Sequence, residues 1–491
     1  MTRRQKYSLW LGVTALAALC AISLSAQQPD RTTPPPPGPL RPLHLPAIET
    51  RTLANGLPVW IVEEHQVPVA QVNVLIRAGG ANDPAGKYGL ASFTASLLED
   101  GAGSRSALEI ADALDFLGAD LRSVSSFDAT SIRLHVPVEH LADALPVMAD
   151  VAERPTFPTE ELERARRALL TSILQARDNP TSLATAAFPR LLFGASSRYG
   201  TPDFGTAATV QAFTADDLRG FYSAWYRPAN ASLIVVGDVT PERVLPLLER
   251  SFGQWNVAGQ APTATAVARA AEPAHRQIYL VDKPGAAQSE IRIGWIGVPR
   301  STPDFFSITV MNTLLGGSFS SRLNQNLREK HGYTYGAGSG FDMRLGAGPF
   351  LAAAAVQTDK TAPALQEFFN EFNGMLQPMS ASEVERARHY VALRFPGGFQ
   401  ATGDIARRLE DLAIFNLPMD FYEHYQERIE QVTPAQVEEA AHKYIQPGHF
   451  IVVVVGDRQK IEAGIEALKL GPITQVSADQ ILGPALISPA G

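Results

Sequence analysis

Hydrophobic and polar residues alternate in two short segments of the N-terminal half, Val69–Ala78 and Thr130–Val138. Alternation with a period of two is typical of a β-strand. Thr159–Arg177 is predicted to be a helix, because it opens with Pro158-Thr-Glu-Glu and ends before the turn-forming sequence Asp178-Asn-Pro180. Ala231–Val236 is predicted to be an apolar strand. This pattern predicts an α+β protein with helices packed on a mostly antiparallel sheet.

Three short motifs occur in the same order in both halves of the chain. They are Glu161–Arg166 with Glu383–Arg388 (222 residues apart), Trp225–Pro228 with Tyr444–Pro447, and Ile234–Asp238 with Val453–Asp457 (both 219 residues apart). A stretch rich in Ala, Thr, Gly and Pro separates the halves. We therefore predict two homologous domains, residues 48–256 and 276–485, joined by a linker at 257–275.

The N-terminus has the pattern of a secretory signal. Basic residues precede an apolar stretch that runs from Leu9 to about Leu24, and small residues lead to a cleavage site near Ala26. An uncleaved membrane anchor is the alternative, since the apolar stretch is nearly long enough to span a bilayer. We predict a signal peptide at residues 1–26, a proline-rich tether at 27–47, and a periplasmic or otherwise exported protein with no stable membrane span after cleavage.

Composition narrows the classes of function. The 491 residues carry a net charge of −8, which argues against a nucleic-acid partner. The single cysteine, Cys20, lies inside the predicted signal. Signal cleavage would therefore leave a mature chain that cannot form disulfides, thiolate metal sites or a cysteine nucleophile.

The first half contains Leu53–Val59, then Arg77–Asp83, then Gly86–Ala91. This frame resembles the insulinase/pitrilysin family, in which a glycine-rich loop leads into the metal-binding helix. The resemblance implies two homologous α+β domains in each chain, and two chains that close as a clamshell around an unfolded peptide.

In that family the helix continues with the zinc signature H-x-x-E-H, whose glutamate acts as general base, and a later helix adds a glutamate ligand. Here the two histidine positions are Ser92 and Ser96, the base position is Ala95, and the later ligand position is Ser172. Serine is a poor zinc ligand. The resemblance thus predicts that this chain holds no metal and no cofactor of its own.

The second half contains Leu314–Leu323, with a double glycine, followed by Asn326–Tyr335. This closely resembles the second-half signature of the family, whose arginine and tyrosine reach across to a zinc site. The matching residues are Arg328 and Tyr335, seven positions apart. An arginine fork can hold a substrate carbonyl, and a tyrosine hydroxyl can donate to an oxyanion. The alternative is that Arg328 caps its helix, which Gly332 would end, and that Tyr335 packs.

Half-length members of this family work as pairs, one chain holding zinc and the other the arginine and tyrosine. The resemblance therefore predicts a non-catalytic subunit of an exported heteromeric zinc metallopeptidase, with zinc expected in a homologous partner subunit and an unfolded peptide as substrate. A catalytically inert scaffold and a protein that binds extended peptides without cleaving them remain alternatives.

Overall fold

The protein is described here from a computed structural model, which covers residues 45–257, 262 and 267–485. The predicted signal peptide, most of the predicted tether and part of the predicted linker lie outside the described residues. The described residues belong to one compact unit that contains both halves of the chain. Within the described residues, no helix is long and apolar enough to cross a membrane.

The first half builds a six-stranded sheet with the strand order β1-β2-β8-β3-β7-β6. Only the pairing of β2 with β8 is parallel. A two-stranded hairpin, β4-β5, stands apart from it. The strands are β1 Glu49–Thr52, β2 Pro58–Glu63, β3 Val69–Ile76, β4 Gly101–Ala102, β5 Arg105–Ser106, β6 Asp120–Ser125, β7 Thr130–Pro137 and β8 Ala231–Gly237.

The second half builds another six-stranded sheet with the order β11-β12-β10-β13-β9-β14. Five of its strands repeat the arrangement of the first sheet, with β9, β10, β11, β12 and β13 in the places of β2, β3, β6, β7 and β8. The outermost strand differs, since β14 comes from the C-terminal region and runs parallel to β9. The strands are β9 Gln277–Asp282, β10 Gln288–Ile296, β11 Thr334–Phe341, β12 Pro349–Gln357, β13 Ile451–Gly456 and β14 Ile473–Gln475.

Helices cover both sheets. Those of the first half are α1 Leu90–Ser96, α2 Ala107–Phe116, α3 Leu141–Glu153, α4 Thr159–Ala176, α5 Pro180–Phe193, α6 Ala207–Ala212, α7 Ala215–Trp225 and α8 Pro241–Phe252. Those of the second half are α9 Phe305–Asn312, α10 Arg322–Asn324, α11 Thr361–Met375, α12 Ala381–Arg394, α13 Thr402–Phe415, α14 Tyr425–Glu430, α15 Pro434–Tyr444, α16 Arg458–Ala467 and α17 Ala478–Leu482. The predicted two-domain α+β fold with mostly antiparallel sheets is confirmed.

One helix of each half packs on the sheet of the other half. Helix α5 of the first half packs on β10 and β13, where Phe188 approaches Gly294 so closely that a Cβ there would lie 2.7 Å from its ring. Helix α13 of the second half packs on β3 and β8 through Ile405 and Leu409. This exchange explains why the central strands β8 and β13 are buried on both faces.

The exchanged helix α13 also explains the polar residues of β3. The alternation seen in the sequence is real, but its polar face is buried too. Glu410 of α13 is 3% exposed, and its carboxylate accepts hydrogen bonds from Asn73 (2.8 Å) and Arg133 (2.5 Å) and from Ser131. A charged group that is buried in this way is tolerated only when it is paired. The polar face of the first sheet therefore binds the second half.

Candidate functional site

Arg328 lies in a wide helical turn at the end of the short helix α10. Residues Gln325–Lys330 form a π-helix, a form that occurs often at functional sites. The turn ends at Gly332, whose φ of +64° is in the left-handed region that favours glycine. The Gly332 amide donates to the Arg328 carbonyl at 3.0 Å, and the Tyr333 amide donates to the Leu327 carbonyl at 2.9 Å. The helix and its predicted glycine stop are thus confirmed, in the π form.

The side chain of Arg328 leaves this turn toward solvent. Its guanidinium carbon lies 4.6 Å from the centre of the Phe319 ring, and its Nε lies 3.3 Å from the carboxylate of Glu329. The side chain of Arg328 is 39% exposed and Phe319 is 61% exposed. The planar guanidinium therefore has its direction set by an aromatic ring, and the side chain remains partly exposed.

Tyr335 lies on β11, the edge strand of the second sheet. The pairing of β11 with β12 shifts between Thr334 and Ala337, so that Tyr335 and Gly336 form a β-bulge. The Thr334 hydroxyl stabilises the bulge by donating to the Gly336 carbonyl (2.9 Å) and accepting from the Gly336 amide (3.1 Å). Tyr335 is 90% exposed. A bulge redirects a side chain from the pleat of its strand, and here it holds a phenol out in solvent.

The double-glycine loop packs directly against β11. A Cβ on Gly316 would lie 2.3 Å from the backbone nitrogen of Ser339, so the loop approaches the strand more closely than any other residue would allow. Asn312 fixes the same contact, since its amide donates to the Ser339 carbonyl at 3.0 Å and its carbonyl accepts from the Ser339 hydroxyl at 2.8 Å. The glycines of the motif thus fasten the loop to the strand that carries Tyr335.

Asn324 links the surroundings of Arg328 with those of Tyr335. Its side chain is buried; its Nδ2 donates to the carbonyl of Phe319 at 2.7 Å, and its Oδ1 accepts from the amide of Ala337 at 3.3 Å. Phe319 is the ring beneath Arg328, and Ala337 is the first paired residue after the bulge. Both bonds run through one amide side chain, so a shift of the loop is transmitted to the bulge.

Neither Phe319 nor Asn324 is predicted from the sequence to be a site residue. Phe319 lies inside Leu314–Leu323, and Asn324 lies between that segment and Asn326–Tyr335; both are within ten residues of Arg328. A bulky apolar residue next to the double glycine was the available signal for Phe319. Nothing in the sequence marks Asn324, because its role depends on which backbone groups the fold brings beside it.

The residues at the positions of the family's zinc site lie in the first half, on α1 and α4. Ala95 is buried. The hydroxyl of Ser96 donates to the Phe93 carbonyl at 2.9 Å, and the exposed hydroxyl of Ser172 donates to the Ala168 carbonyl at 3.1 Å, each within its own helix. Among the described residues, no group of three or more His, Cys, Asp and Glu side chains could hold a metal ion.

The start of α1 is nevertheless firmly built. Asp83 accepts hydrogen bonds from the amides of Gly89 (2.6 Å) and Ala91 (2.7 Å) and forms an ion pair with Arg198 at 2.9 Å, with both charged groups almost fully buried. Gly89 has a φ of +102° and touches the backbone of Gly205. The frame that positions this helix is therefore present, although its exposed face carries serine.

The sequence matches two models of one protein family. Residues 59–195 match the family model "Insulinase (Peptidase family M16)", and residues 212–391 match the model "Peptidase M16 inactive domain". An uncharacterized zinc protease of Mycobacterium leprae is 28% identical over 409 residues, which covers 80% of this chain and 88% of that protein. An uncharacterized zinc protease of Rickettsia bellii is 26% identical over 340 residues, which covers 69% of this chain and 81% of that protein.

Solved structures give the same result. A peptidase M16 inactive domain from Pseudomonas fluorescens superposes with a TM-score of 0.77 at 25% identity, covering 83% of this chain and 98% of that chain. A periplasmic protease of Escherichia coli shares the fold with a TM-score of 0.69 at 16% identity, and the match covers 87% of this chain but only 51% of that one. The chain thus belongs to the insulinase family, peptidase family M16, as a half-length member built from two homologous α+β domains.

Proposed function

We propose that this chain is the non-catalytic subunit of an exported heteromeric zinc metallopeptidase, and that it supplies Arg328 and Tyr335 to the active site of a zinc-bearing homologous partner. The observation that carries the proposal is the presentation of Tyr335. Its phenol is 90% exposed in this chain, and the backbone that carries it is fixed by a bulge, the Thr334 hydroxyl and a glycine loop. A tyrosine on a fixed backbone, with its phenol left in solvent, is suited to a surface that another molecule covers.

The residues at the family's zinc positions do not fit a zinc ion. A zinc site in a protein uses imidazole, thiolate or carboxylate donors. The Ser96 and Ser172 hydroxyls here donate to carbonyls of their own helices, and Ala95 offers only a methyl group. We therefore expect the chain to retain no zinc and to hydrolyse no peptide by itself.

The proposed chemistry of the pair follows from hydrogen bonding. When bound in the partner, zinc would supply an activated water and polarise the scissile carbonyl. The Tyr335 hydroxyl would donate to the oxygen on which negative charge develops, and the Arg328 fork would donate to a backbone carbonyl of the peptide. The bulge fixes the backbone at Tyr335 in advance, which would reduce the reorganisation needed when the charge appears.

Affinity isolation of the tagged chain from its native extract, followed by mass spectrometry and metal analysis, tests the proposal. We expect a zinc-bearing relative of similar length in the isolated complex and peptidase activity that neither subunit has alone. Isolation of only this chain, or tight zinc in this chain, would contradict it.

One observation supports the capture of extended peptides without cleavage as a second candidate. Strand β11 is at the edge of its sheet, and an edge strand can pair with an added peptide strand. Binding of an uncleaved peptide by the isolated chain, with no zinc-bearing partner in the extract, would favour this function over the first.

A further inference from the structure

A cavity of about 390 Å³ lies in the second half, between helix α9, helix α13 and the loop that follows α13. Much of its wall is aromatic, formed by Phe305, Phe341, Phe415, Phe421 and Tyr425. Small-molecule sites commonly have volumes of roughly 300–1,000 Å³, apolar walls and a few polar groups. This cavity has the volume of such a site, with aromatic side chains and several polar ones in its wall, and neither Arg328 nor Tyr335 lines it.

Arg300 is the polar group that distinguishes the cavity. Its guanidinium carbon lies 3.7 Å from the centre of the Phe305 ring and 5.0 Å from that of Phe421. Burial lowers the pKa of Arg300, because its charge is partly removed from water. Among the residues that the structure describes, no carboxylate forms an ion pair with it. A half-buried cation that faces aromatic rings is stabilised by them, but an anion would stabilise it more.

The other charged groups of the cavity are engaged with one another. A guanidinium nitrogen of Arg408 lies 3.8 Å from a carboxylate oxygen of Asp411. The Tyr422 hydroxyl donates a hydrogen bond to the same carboxylate at 3.3 Å. Asp411 acts on Arg300 only as a more distant charge, and burial raises the pKa of Asp411. The two arginines and one aspartate leave the cavity with one uncompensated positive charge, on Arg300.

Among the described residues, the other arginines that lie over aromatic rings and are buried or half-buried form ion pairs, whereas the exposed Arg276, Arg394 and Arg428 do not. Arg198 lies 4.8 Å from the Phe127 ring centre and forms an ion pair with Asp83 at 2.9 Å. Arg344 lies 4.0 Å from the same ring centre and forms an ion pair with Asp342 at 2.5 Å. Where the chain fills such a position itself, it supplies a carboxylate, which indicates the group that is missing beside Arg300.

We propose that this cavity binds an apolar carboxylate, with the carboxylate on the Arg300 guanidinium and an aromatic or large aliphatic group against the rings. A single uncompensated charge suits a monoanion, and the neighbouring Asp411 disfavours a more highly charged ligand. A small organic acid and the C-terminal residue of a peptide share this chemistry.

Isothermal titration calorimetry of the full chain at pH 7.5 tests the site with two pairs of probes. The first pair is 3-phenylpropanoate and its neutral amide; the second is N-acetyl-Gly-Gly-Phe with a free carboxylate and its C-terminal amide. We expect 3-phenylpropanoate to bind one per chain, and its amide to bind about tenfold more weakly or worse, because a charge-assisted hydrogen bond is lost. Equal binding of acid and amide, or no saturable binding of either acid, would overturn the proposal.

The peptide pair separates the two sources of ligand. Binding of the peptide acid as tightly as 3-phenylpropanoate identifies a site for peptide C-termini, whereas exclusion of the peptide identifies a site for a small acid. Both results support an apolar-carboxylate site. The wild-type comparison of acids with amides decides the proposal even where a variant fails to fold.

Substitution at Arg300 assigns the binding to this cavity. Arg300→Gln should reduce the affinity for 3-phenylpropanoate to that of the amide, and Arg300→Lys should retain part of it. Arg276→Gln is the matched control, because Arg276 is also an arginine of the second half over an aromatic ring, 5.6 Å from the centre of Phe450, but lies outside the cavity. Unchanged affinity in a folded Arg300→Gln variant would show that the acid binds elsewhere.

Discussion

The guanidinium of Arg328 lies over the ring of Phe319, with 4.6 Å between the guanidinium carbon and the ring centre. Both side chains are at the surface, yet each limits the positions of the other. Phe319 comes directly after the double-glycine loop and Ser318, and its carbonyl is bonded to the buried Asn324. The ring therefore has a fixed backbone beneath it, and it serves as a platform for the arginine.

Replacing Phe319 with leucine should weaken the positioning of Arg328 without removing the arginine. An exposed cation–π contact contributes about 0.5–1 kcal/mol, so we expect KM of the reconstituted complex to rise by a factor of about two to five, with kcat little changed. Steady-state kinetics on a peptide substrate measures this. Phe116→Leu is the control, since Phe116 is 87% exposed on α2 of the first half. Equal effects of the two substitutions would assign the change to surface hydrophobicity.

Tyr335→Phe should reduce turnover of the complex while leaving the complex intact. Loss of one donor to a developing oxyanion costs about 2.7–4 kcal/mol, or roughly a hundred- to a thousandfold in kcat. Tyr333→Phe is the matched control. The ring of Tyr333 stacks on that of His331 with 4.8 Å between the ring centres, and a phenylalanine ring would keep this contact. Full activity of the Tyr335→Phe complex would make this residue structural.

Arg328→Ala should weaken peptide binding, a step that precedes the one affected by Tyr335→Phe. The guanidinium would hold the peptide before chemistry begins, so KM should rise together with the loss of turnover. Comparing complexes with matched subunit content gives the two constants separately. An unchanged KM would exclude a role of Arg328 in peptide binding.

Asn324→Leu should destabilise the second half and misplace both proposed site residues. It leaves the Phe319 carbonyl and the Ala337 amide without their partner, and an unsatisfied buried polar group costs about 1–3 kcal/mol. We expect a lower melting temperature by circular dichroism and lower activity of the complex. Asn373→Leu, on the exposed side of α11, controls for a general effect of leucine. Activity that survives while the melting temperature falls would show that Asn324 stabilises the fold without positioning the site.

Glu153 should make the stability of the chain depend on pH. Burial raises its pKa from 4.5 to about 8, with Arg154 opposing and Asp150 adding to the shift. The folded state therefore holds this proton more tightly than the unfolded state, so stability is lost as pH rises from about 4.5 toward 8. Glu153→Gln removes the ionisation, and we expect its melting temperature to exceed that of wild type at pH 8.5 but not at pH 4.5. Glu139→Gln is the control, since the side chain of Glu139 is 79% exposed, and the melting temperature of this variant should not exceed that of wild type at either pH.

The sequence determined the elements and their repetition. Val69–Ile76, Thr130–Pro137 and Thr159–Ala176 begin where the patterns predicted, because strand alternation and helix boundaries are local properties. The recurring motifs predicted two homologous domains, and the two sheets share their central strand order. The sequence also contained the motif of Arg328 and Tyr335 and the serine residues at the zinc positions, since both are matters of residue identity.

Only the tertiary structure decided what the polar faces and the surface residues do. Asn73 and Gln71 alternate with apolar neighbours as on a solvated strand, but a helix from the other half covers them and brings Glu410 to within 2.8 Å of Asn73. The bulge that turns Tyr335 outward depends on pairing with β12, and the platform beneath Arg328 depends on a loop held by Asn324. The uncompensated charge of Arg300 also appears only when all its neighbours are placed. Each of these features joins residues distant in the chain, and contacts of that kind have no signal in local periodicity.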